Sequence, residues 1–332
     1  MSRPLFEVLA PGTLSSVQDL GRAGLRALGV PVGGAADRHS AILANLLLGN
    51  PAGAALLELT LGGPRLRLLS GATVAITGAD IATRCAGVEL PGWRPLRLPA
   101  GTELAFGSCR RGVRAYLAVA GGLDLPTVLG SRSTDLRAGF GGLQGRPLDA
   151  GDVLSAHATA AVPEVDRPEV PGWWIDPTPD LDLSLPAVAA VAPGAAVLDG
   201  ADWQRLCSTA WRVAPASNRI GLRLQGPPLH LAEAWQRPSE PVLPGTVQLP
   251  PDGQPIVLLN DCGSHGGYPR IGHVAAVDLP RLAQLRPGET LRFAAASLGD
   301  HDRRACERAA RMARIRLALA QRLGREPLGT DG

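Results

Sequence analysis

The chain has 332 residues, 45% hydrophobic and 19% charged, with a formal net charge of +3. That balance describes a globular protein long enough for a large core or two domains, and it excludes a field strong enough to draw in nucleic acid. None of the 33 basic residues is a lysine, which excludes a Schiff-base lysine, a P-loop lysine and a carrier lysine for biotin or lipoate; any anion clamp must use arginine, backbone N–H groups or a metal.

In chain order, FEVLAPG (6–12) reads as a strand closed by a Pro-Gly turn. Asp37 caps a helix in RHSAILANLLLGN, where Ile42, Leu43, Leu46 and Leu47 share one face, and Gly49-Asn50-Pro51 ends it. Residues 55–155 carry short apolar runs (ALLELTL, RLRLL, TVAITG, TELAFG, RAYLAVAGG) broken by Gly or Pro at roughly eight-to-twelve-residue spacing. This is the texture of an antiparallel barrel or sandwich, without the alternating helices of a parallel sheet. Residues 156–187, rich in Pro and acid, read as a linker or a surface-wrapping segment. A second β region covers 188–295. The expected fold class is therefore mainly β, with an N-terminal barrel-like region over 1–155 and a second over 188–295. The segment 296–332 holds a long helix over 300–324, capped by Asp300 and ended by Gly324. Ala305, Ala309, Met312, Ile315, Leu319 and Leu323 form its apolar stripe, and its arginines are expected on a solvated face.

The five cysteines (Cys85, Cys109, Cys207, Cys262, Cys306) form no CxxC pair, and their odd number fits poorly with a disulfide framework. MSRPLFEVLAPG lacks a long apolar core, and no apolar run approaches the about 18 residues of a membrane span. A cytoplasmic protein with reduced thiols is expected.

Four loops concentrate polar side chains among glycines. SSVQDLGRAGLRALGVPVGGAAD (15–37) places Gln18, Asp19, Arg22 and Asp37 ahead of the first helix. Backbone N–H groups there can cradle an anion, although tight turns and a helix cap account for the same pattern. GSRSTDLRAGFGGLQGRPLDAGD (130–152) offers Ser131, Arg132, Ser133, Thr134, Asp135 and Arg137. Its glycine spacing is not that of a dinucleotide fingerprint, and an irregular barrel connection also fits it. APASNRIGLRLQG (214–226) puts Asn218 and Arg219 at a turn before a strand. LPGTVQLPPDGQPIVLLNDCGSHGGYPRIG (243–272) holds Gln248, then Asp261 at a strand end, Gly266 and Gly267 in backbone conformations expected to be closed to other residues, and Tyr268 and Arg270. A carboxylate placed like Asp261 can orient a ligand or act as a base. Asp261, Cys262, His265 and His273 are metal-ligating types, but their spacing matches no compact zinc pattern, and no metal site is assigned. No GxSxG elbow, HExxH or Walker A sequence is present.

The order of these motifs is more specific than any one of them. VQDLGRAG, GVPVGGAAD, LLELTLGGP, AITGAD, PGWRP, RAYLAVAGG, GSRSTDLRAGFGGLQGRPLDAGD, SNRIGLRLQG, LPGTVQLPPDGQPIVLLND, GGYPRI and DLPRLAQLRPGE together resemble one family from about residue 5 to residue 295. It is the biotin-dependent carboxyltransferase subdomain A/B family, also called allophanate hydrolase subunit 2, whose members include the C component of 5-oxoprolinase, KipA and the matching part of urea carboxylase. The resemblance implies two cyclophilin-like β-barrel regions. It implies a complex with a sister protein (the KipI-like B component of 5-oxoprolinase) and a lactam-opening A component, which together hydrolyse 5-oxoproline to glutamate using ATP and Mg2+. In that complex the B–C pair is expected to activate the lactam by phosphoryl transfer, since an unstrained amide is a poor electrophile. Two alternatives follow from the same family. One is biotin-dependent carboxyl transfer, with biotin carried by another chain; the other is a KipA-like regulator that sequesters a kinase inhibitor.

Carried over residue by residue, the family motif falls on Gln18, Asp19, Arg22, Gly34 and Asp37, on Ser131, Thr134, Asp135 and Gly142, and on Asn218, Arg219, Gln248, Asp261, Gly267, Tyr268 and Arg270. Under this resemblance Asp261, Asp135 and Tyr268 carry the chemistry. The two acids hold Mg2+ or polarise the substrate, and Tyr268 closes over it. The others bind substrate or phosphate, with Arg22, Arg219 and Arg270 neutralising anionic oxygens. The chain departs from the family pattern at Ala36, where a methionine is common, and at Gly263-Ser264-His265, where Gln-Thr-Thr is common.

Overall fold

The computed structural model describes residues 2–158, 164–194, 198–233 and 238–324. The chain divides into two compact units, one built from residues 1–22, 37–182 and 312 onward, the other from 23–36 and 183–311. A contiguous division of the sequence therefore gives way in two places. Residues 23–36 belong to the second unit, and the long C-terminal helix contributes to both.

In the first unit, strands β1 (Ser2–Ala10) and β2 (Leu14–Gln18) precede helix α1 (Arg38–Leu47). Strands β3 (Leu56–Thr60), β4 (Arg65–Leu68), β5 (Ala72–Cys85), β6 (Val88–Glu89), β7 (Pro95–Leu98), β8 (Glu103–Val119) and β9 (Val153–His157) follow. They form one nine-stranded sheet in the order β2-β3-β8-β4-β1-β9, with β5, β6 and β7 attached through β8, a half-barrel left open. Strict alternation in RLRL buries Leu66 and Leu68 and exposes both arginines, as the two-residue period of a strand requires. The leucines and valines of β1, β3, β4, β5, β7 and β8 merge into a single core. Asp37 caps α1 by accepting from the Ser40 N–H at 2.9 Å.

The Pro-rich stretch wraps this unit: Glu169 exchanges both backbone hydrogen bonds with Arg97 on edge strand β7, and Ile175 N–H donates to the Trp93 carbonyl. Its far end is tied by His39 Nε2, 3.6 Å from Asp180, both side chains being buried. Covering β7 in this way removes a pairing template for other chains.

The second unit begins with β10 (Ala187–Pro193), α2 (Gly200–Ser208), β11 (Trp211–Val213), β12 (Gly221–Gln225) and β13 (Glu240–Pro241). It continues with β14 (Thr246–Gln248), β15 (Ile256–Leu258), β16 (His265–Gly266), β17 (Arg270–Val274), α3 (Leu279–Leu282) and β18 (Thr290–Ala295). Seven of these close a barrel in the order β10-β17-β14-β15-β12-β11-β18, shut by the parallel pairing of β18 with β10. Trp211 lies wholly inside and donates Nε1–H to the Leu206 carbonyl at 2.9 Å. β13 and β16 stand apart as a two-stranded rim. The expected β architecture is thus met, with a closed barrel in the second region and a half-barrel in the first.

Helix α4 (Leu298–Leu323) ends at Gly324, in the left-handed conformation at φ 62°. Its start corrects the expected cap. Asp300 lies inside the first turn, and Ser297 does the capping: Ser297 Oγ accepts from Asp300 N–H at 3.1 Å while Asp300 Oδ2 accepts from Ser297 N–H at 2.9 Å. The stripe is also corrected, because Ala305 and Ala309 are exposed and only Leu319, with neighbouring Ala320, is buried. Near the helix start Arg304 turns inward instead, its guanidinium bonding Asp278 at 2.7 and 2.6 Å. A buried carboxylate at that point makes an arginine the favoured neighbour where periodicity alone favours alanine.

The Ser297 bonds and the Arg303 guanidinium hold Asp300 down to about 2. A lowered carboxyl stabilises the fold above its unfolded value near 3.9, and that stabilisation is lost as pH falls through the folded value. The protection factors of amides in the first turn of α4, exchange relative to the intrinsic rate at each pH, should therefore fall between about pH 4 and pH 2 in the wild type, and Asp300→Asn should flatten that fall.

Candidate functional site

The sequence-predicted residues fall into two groups, one in each unit. In the first unit Asp19 is the centre. Its Oδ1 accepts from Gly21 N–H at 2.7 Å, Ser131 Oγ–H at 2.6 Å and Ser133 Oγ–H at 2.5 Å, and its Oδ2 accepts from Arg132 N–H at 2.6 Å. Gln18 Nε2–H reaches the Thr134 carbonyl at 3.3 Å, and Thr134 Oγ1–H donates to the Val17 carbonyl at 3.0 Å. The structure thus brings Gln18, Asp19, Ser131 and Thr134 together as a buried clasp between the end of β2 and the 131–134 loop.

Arg22 completes that clasp from the other side. It is buried, donates to the Ser133 and Val128 carbonyls at 2.5 and 3.2 Å, and lies 4.6 Å from the centre of the Phe140 ring. Its guanidinium thus serves loop carbonyls of this unit. Gly141 and Gly142 have positive φ, and a Cβ would lie 2.2 Å from the Ser133 carbonyl at Gly141 and 1.9 Å from Thr134 Oγ1 at Gly142, so these two glycines are required for close approach to this clasp. Asp135 is set at the outer end, where its Oδ1 accepts from the N–H groups of Arg137 and Ala138 at 3.0 and 2.9 Å. Asp37 faces α1 as its cap, and its own N–H donates to Tyr116 Oη at 2.7 Å.

In the second unit the central contact is a forked pair. Arg219 Nε and Nη2 donate to Asp261 at 2.7 and 3.0 Å, and Nη2 also donates to the Gly34 carbonyl at 2.6 Å. Asn260 continues the same junction, donating Nδ2–H to the Ala35 carbonyl at 2.7 Å and accepting from Gly33 N–H at 3.1 Å on its backbone oxygen. Asn218 shapes the preceding turn by accepting from Ile220 N–H at 2.8 Å. Gln248 donates to the Tyr268 carbonyl at 3.3 Å. Arg270 is paired with Glu240, Nε to Oε2 at 2.8 Å. Tyr268 itself is 47% exposed, which leaves its phenol available to a ligand or partner.

Arg219 and Arg270 are matched by carboxylates of the protein. The backbone expectation for Gly266 and Gly267 is corrected here. Gly266 and Gly267 do not have positive φ; a Cβ at Gly266 would press on the end of the Gln248 side chain, and Gly267 has no such contact. The metal-ligating types of the loop do not converge. Asp261 is held by Arg219, His265 Nδ1 meets Ser264 Oγ at 3.0 Å, and burial pushes the Cys262 thiol up, with nearby Arg26 opposing the shift. Among the described residues no group of three His, Cys, Asp or Glu could hold a metal ion. The residues carried over for Mg2+ and ATP do not fit as a self-contained site, since Asp261 and the three expected arginines are each engaged by protein groups.

Sequence reasoning missed Glu240, Asn260 and Arg26. Each is joined to its partner across a gap in the chain, Arg26 to Gly263 at 2.8 Å across 237 positions.

A half-barrel and a closed barrel with loops braced by arginine define a carboxyltransferase-type β protein. Residues 28–295 match the family model described as carboxyltransferase domain, subdomain A and B, and the chain belongs to that family. The chain is 38% identical over 295 residues to the C component of 5-oxoprolinase from Escherichia coli K12, covering 89% of this chain and 92% of that one. It is 32% identical to urea amidolyase of Lachancea kluyveri, covering 87% of this chain but 17% of that one. The solved structure of Kluyveromyces lactis urea amidolyase superposes with a TM-score of 0.83 at 31% identity, covering 90% of this chain and 19% of that one.

Asp19→Ala removes the shared acceptor of two hydroxyls and two N–H groups, and should destabilise the first unit by about 3 kcal/mol in urea unfolding. At the forked pair, a double-mutant cycle on Arg219→Ala and Asp261→Ala should give a coupling above about 1 kcal/mol, because each single change strands the other charge. A coupling near zero would remove the pair from the account of this loop.

Proposed function

We propose that this chain is the C component of a 5-oxoprolinase, acting with partner components A and B to hydrolyse 5-oxoproline to glutamate in an ATP-dependent reaction in the cytoplasm. The observation that carries this reading is the degree of identity, 38% over 295 residues with the E. coli C component against 32% over 318 residues with the urea amidolyase of Lachancea kluyveri. No helix of the described residues is long and apolar enough to cross a membrane, in keeping with this reading.

The site geometry supports action within a complex. The Asp19 and Asp261 carboxylates are each held by several donors of this chain, so it contributes a rigid frame and a small number of accessible groups, Tyr268 foremost. A small carboxylate such as 5-oxoproline needs a cation and a hydrogen-bond donor at fixed separation. Here Arg270 and Tyr268, two residues apart on the rim of the second barrel, offer both, with the Arg270 charge already shared with Glu240. The likeness to urea amidolyase favours carboxyl transfer from carboxybiotin as the second reading, with biotin carried by another chain.

The test is to reconstitute this chain with its A and B partners and follow glutamate from 5-oxoproline. Glutamate should appear only with ATP and only when this chain is present. Tyr268→Phe should lower kcat/KM about tenfold through one lost hydrogen bond. An assembled complex that makes no glutamate would reject the oxoprolinase reading and direct the assay to carboxyl transfer.

A further inference from the structure

We infer that Arg26 is a positioning residue of the candidate site: it holds the rim formed by residues 240–243 and 261–268 in the one arrangement that presents Tyr268, beside Arg270, to the substrate. The inference rests on the reading given under Proposed function and assigns a part to a residue that no motif marks.

The rim has little apolar support of its own. β13 and β16 contribute two residues each, and a two-stranded ribbon of that size is unstable in isolation. Beneath it lies a separate cluster of only Val242, Ile256, Leu258 and Cys262, while Leu243 and Tyr268 are about half exposed, at 54% and 47%. Polar cross-ties must therefore fix its shape. Two are backbone contacts, the pairing of Pro241 with His265 and the bond from Val242 N–H to the Ser264 carbonyl at 3.0 Å. Arg270 ties Glu240 at 2.8 Å and Gln248 ties the Tyr268 carbonyl at 3.3 Å, both from the neighbouring barrel strands. Arg26 is the tie that bridges the two sides of the rim from outside the barrel strands. Its Nη2 donates to the Val242 carbonyl on one side of the rim and, at 2.8 Å, to the Gly263 carbonyl on the other. Its charge also bears on the buried Cys262 thiol, opposing the upward shift that burial causes.

The segment that carries Arg26 is itself anchored. A one-turn helix at Arg26–Leu28 begins it, and Gly33, Gly34 and Ala35 fasten its end to Asn260 and Arg219. Residues 26–35 thus form a strap fixed at both ends to the loop that holds Asp261. Both bonds leave from one nitrogen, Nη2, at the end of the long arginine side chain, so a shorter reach or a lost donor breaks the bridge. Without it the rim samples other arrangements, and binding weakens by the fraction of molecules left in the competent one, while turnover of bound substrate persists.

The experiment uses the assembled complex with wild type, Arg26→Ala and Arg26→Lys. It measures kcat, KM for 5-oxoproline, melting temperature, and the rate at which N-ethylmaleimide alkylates Cys262, read by peptide mass spectrometry. Arg26→Ala should raise KM about tenfold with kcat within about twofold, and should speed Cys262 alkylation by a similar factor. Arg26→Lys should lie between. Wild-type alkylation in Arg26→Ala would overturn the brace. A fall in kcat and melting temperature with KM unchanged would overturn the positioning role in favour of general stability. If the wild-type complex makes no glutamate, the oxoprolinase reading fails, and the alkylation rates still decide whether Arg26 holds the rim.

Discussion

The fork of Arg219 on Asp261 is the constraint on which the second unit's polar loops depend. One guanidinium joins three stretches that are far apart in sequence: the turn before β12, the loop after β15, and the strap that ends at Ala36. Asp261 is held by two donors, and a third bond from the same side chain fixes the Gly34 carbonyl. This joint requires a planar, always charged donor, and the chain, which has no lysine, supplies arginine at every such point. The same device recurs in each unit. Arg22 holds the Ser133 and Val128 carbonyls, Arg270 holds Glu240, and Arg304 holds Asp278. Short strands separated by Gly and Pro offer long connections and small cores, and buried forked pairs give those connections a single conformation where apolar burial cannot.

How much of this is legible in the sequence depends on whether a residue's role is set locally. The alternation of Leu66 and Leu68 with arginine, and the side-chain cap of Asp37 on α1, are properties of a few consecutive residues, and the structure follows them. The extent of α4 is legible to within two residues, but its cap is not: a serine and an aspartate three apart can each take the role, and here they cap reciprocally around Ser297. Helical periodicity misplaces the inward face of α4 because it counts apolar residues and is blind to Asp278, which draws Arg304 inward. The exchange of residues 23–36 into the second unit leaves no trace in composition or period, since a strap held by backbone carbonyls can have almost any side chains.

The candidate site shows the same division. The family motif locates Asp19, Ser131, Thr134, Arg219 and Asp261 correctly as residues with partners, because the loops that hold them are the ones the motif spans. Within the protein those residues have partners that the motif does not name, and their roles toward a ligand are a separate matter. Arg22, Arg219 and Arg270, expected to meet a ligand's oxygens, instead meet the protein's own. Charge in a glycine-rich loop signals that something anionic must be held; it does not say whether that anion is a substrate or a carboxylate from another strand. Only burial and distance separate the two.

That distinction bears on how such a chain can work. A phosphorylated or carboxylated small molecule needs cations that are not already neutralised. The side chains of the Asp19 clasp and the Asp261 fork are matched within this chain, so they fix geometry without adding net field at the loop surface. In the proposed complex, the charge that handles the co-substrate then comes from the partner side, while this chain holds the loop tip, with Tyr268 on it, in register. Such a division explains why the polar residues are so fully engaged in an isolated chain: a rim that must meet a partner surface in one orientation gains more from rigidity than from open charge. It also places the chain's departures from the family pattern, Gly263-Ser264-His265, on the rim where the Gly263 carbonyl meets Arg26 and His265 pairs with Pro241 through backbone atoms. Backbone roles of that kind tolerate a change of side chain, and this lets the frame persist while the surface it presents diverges.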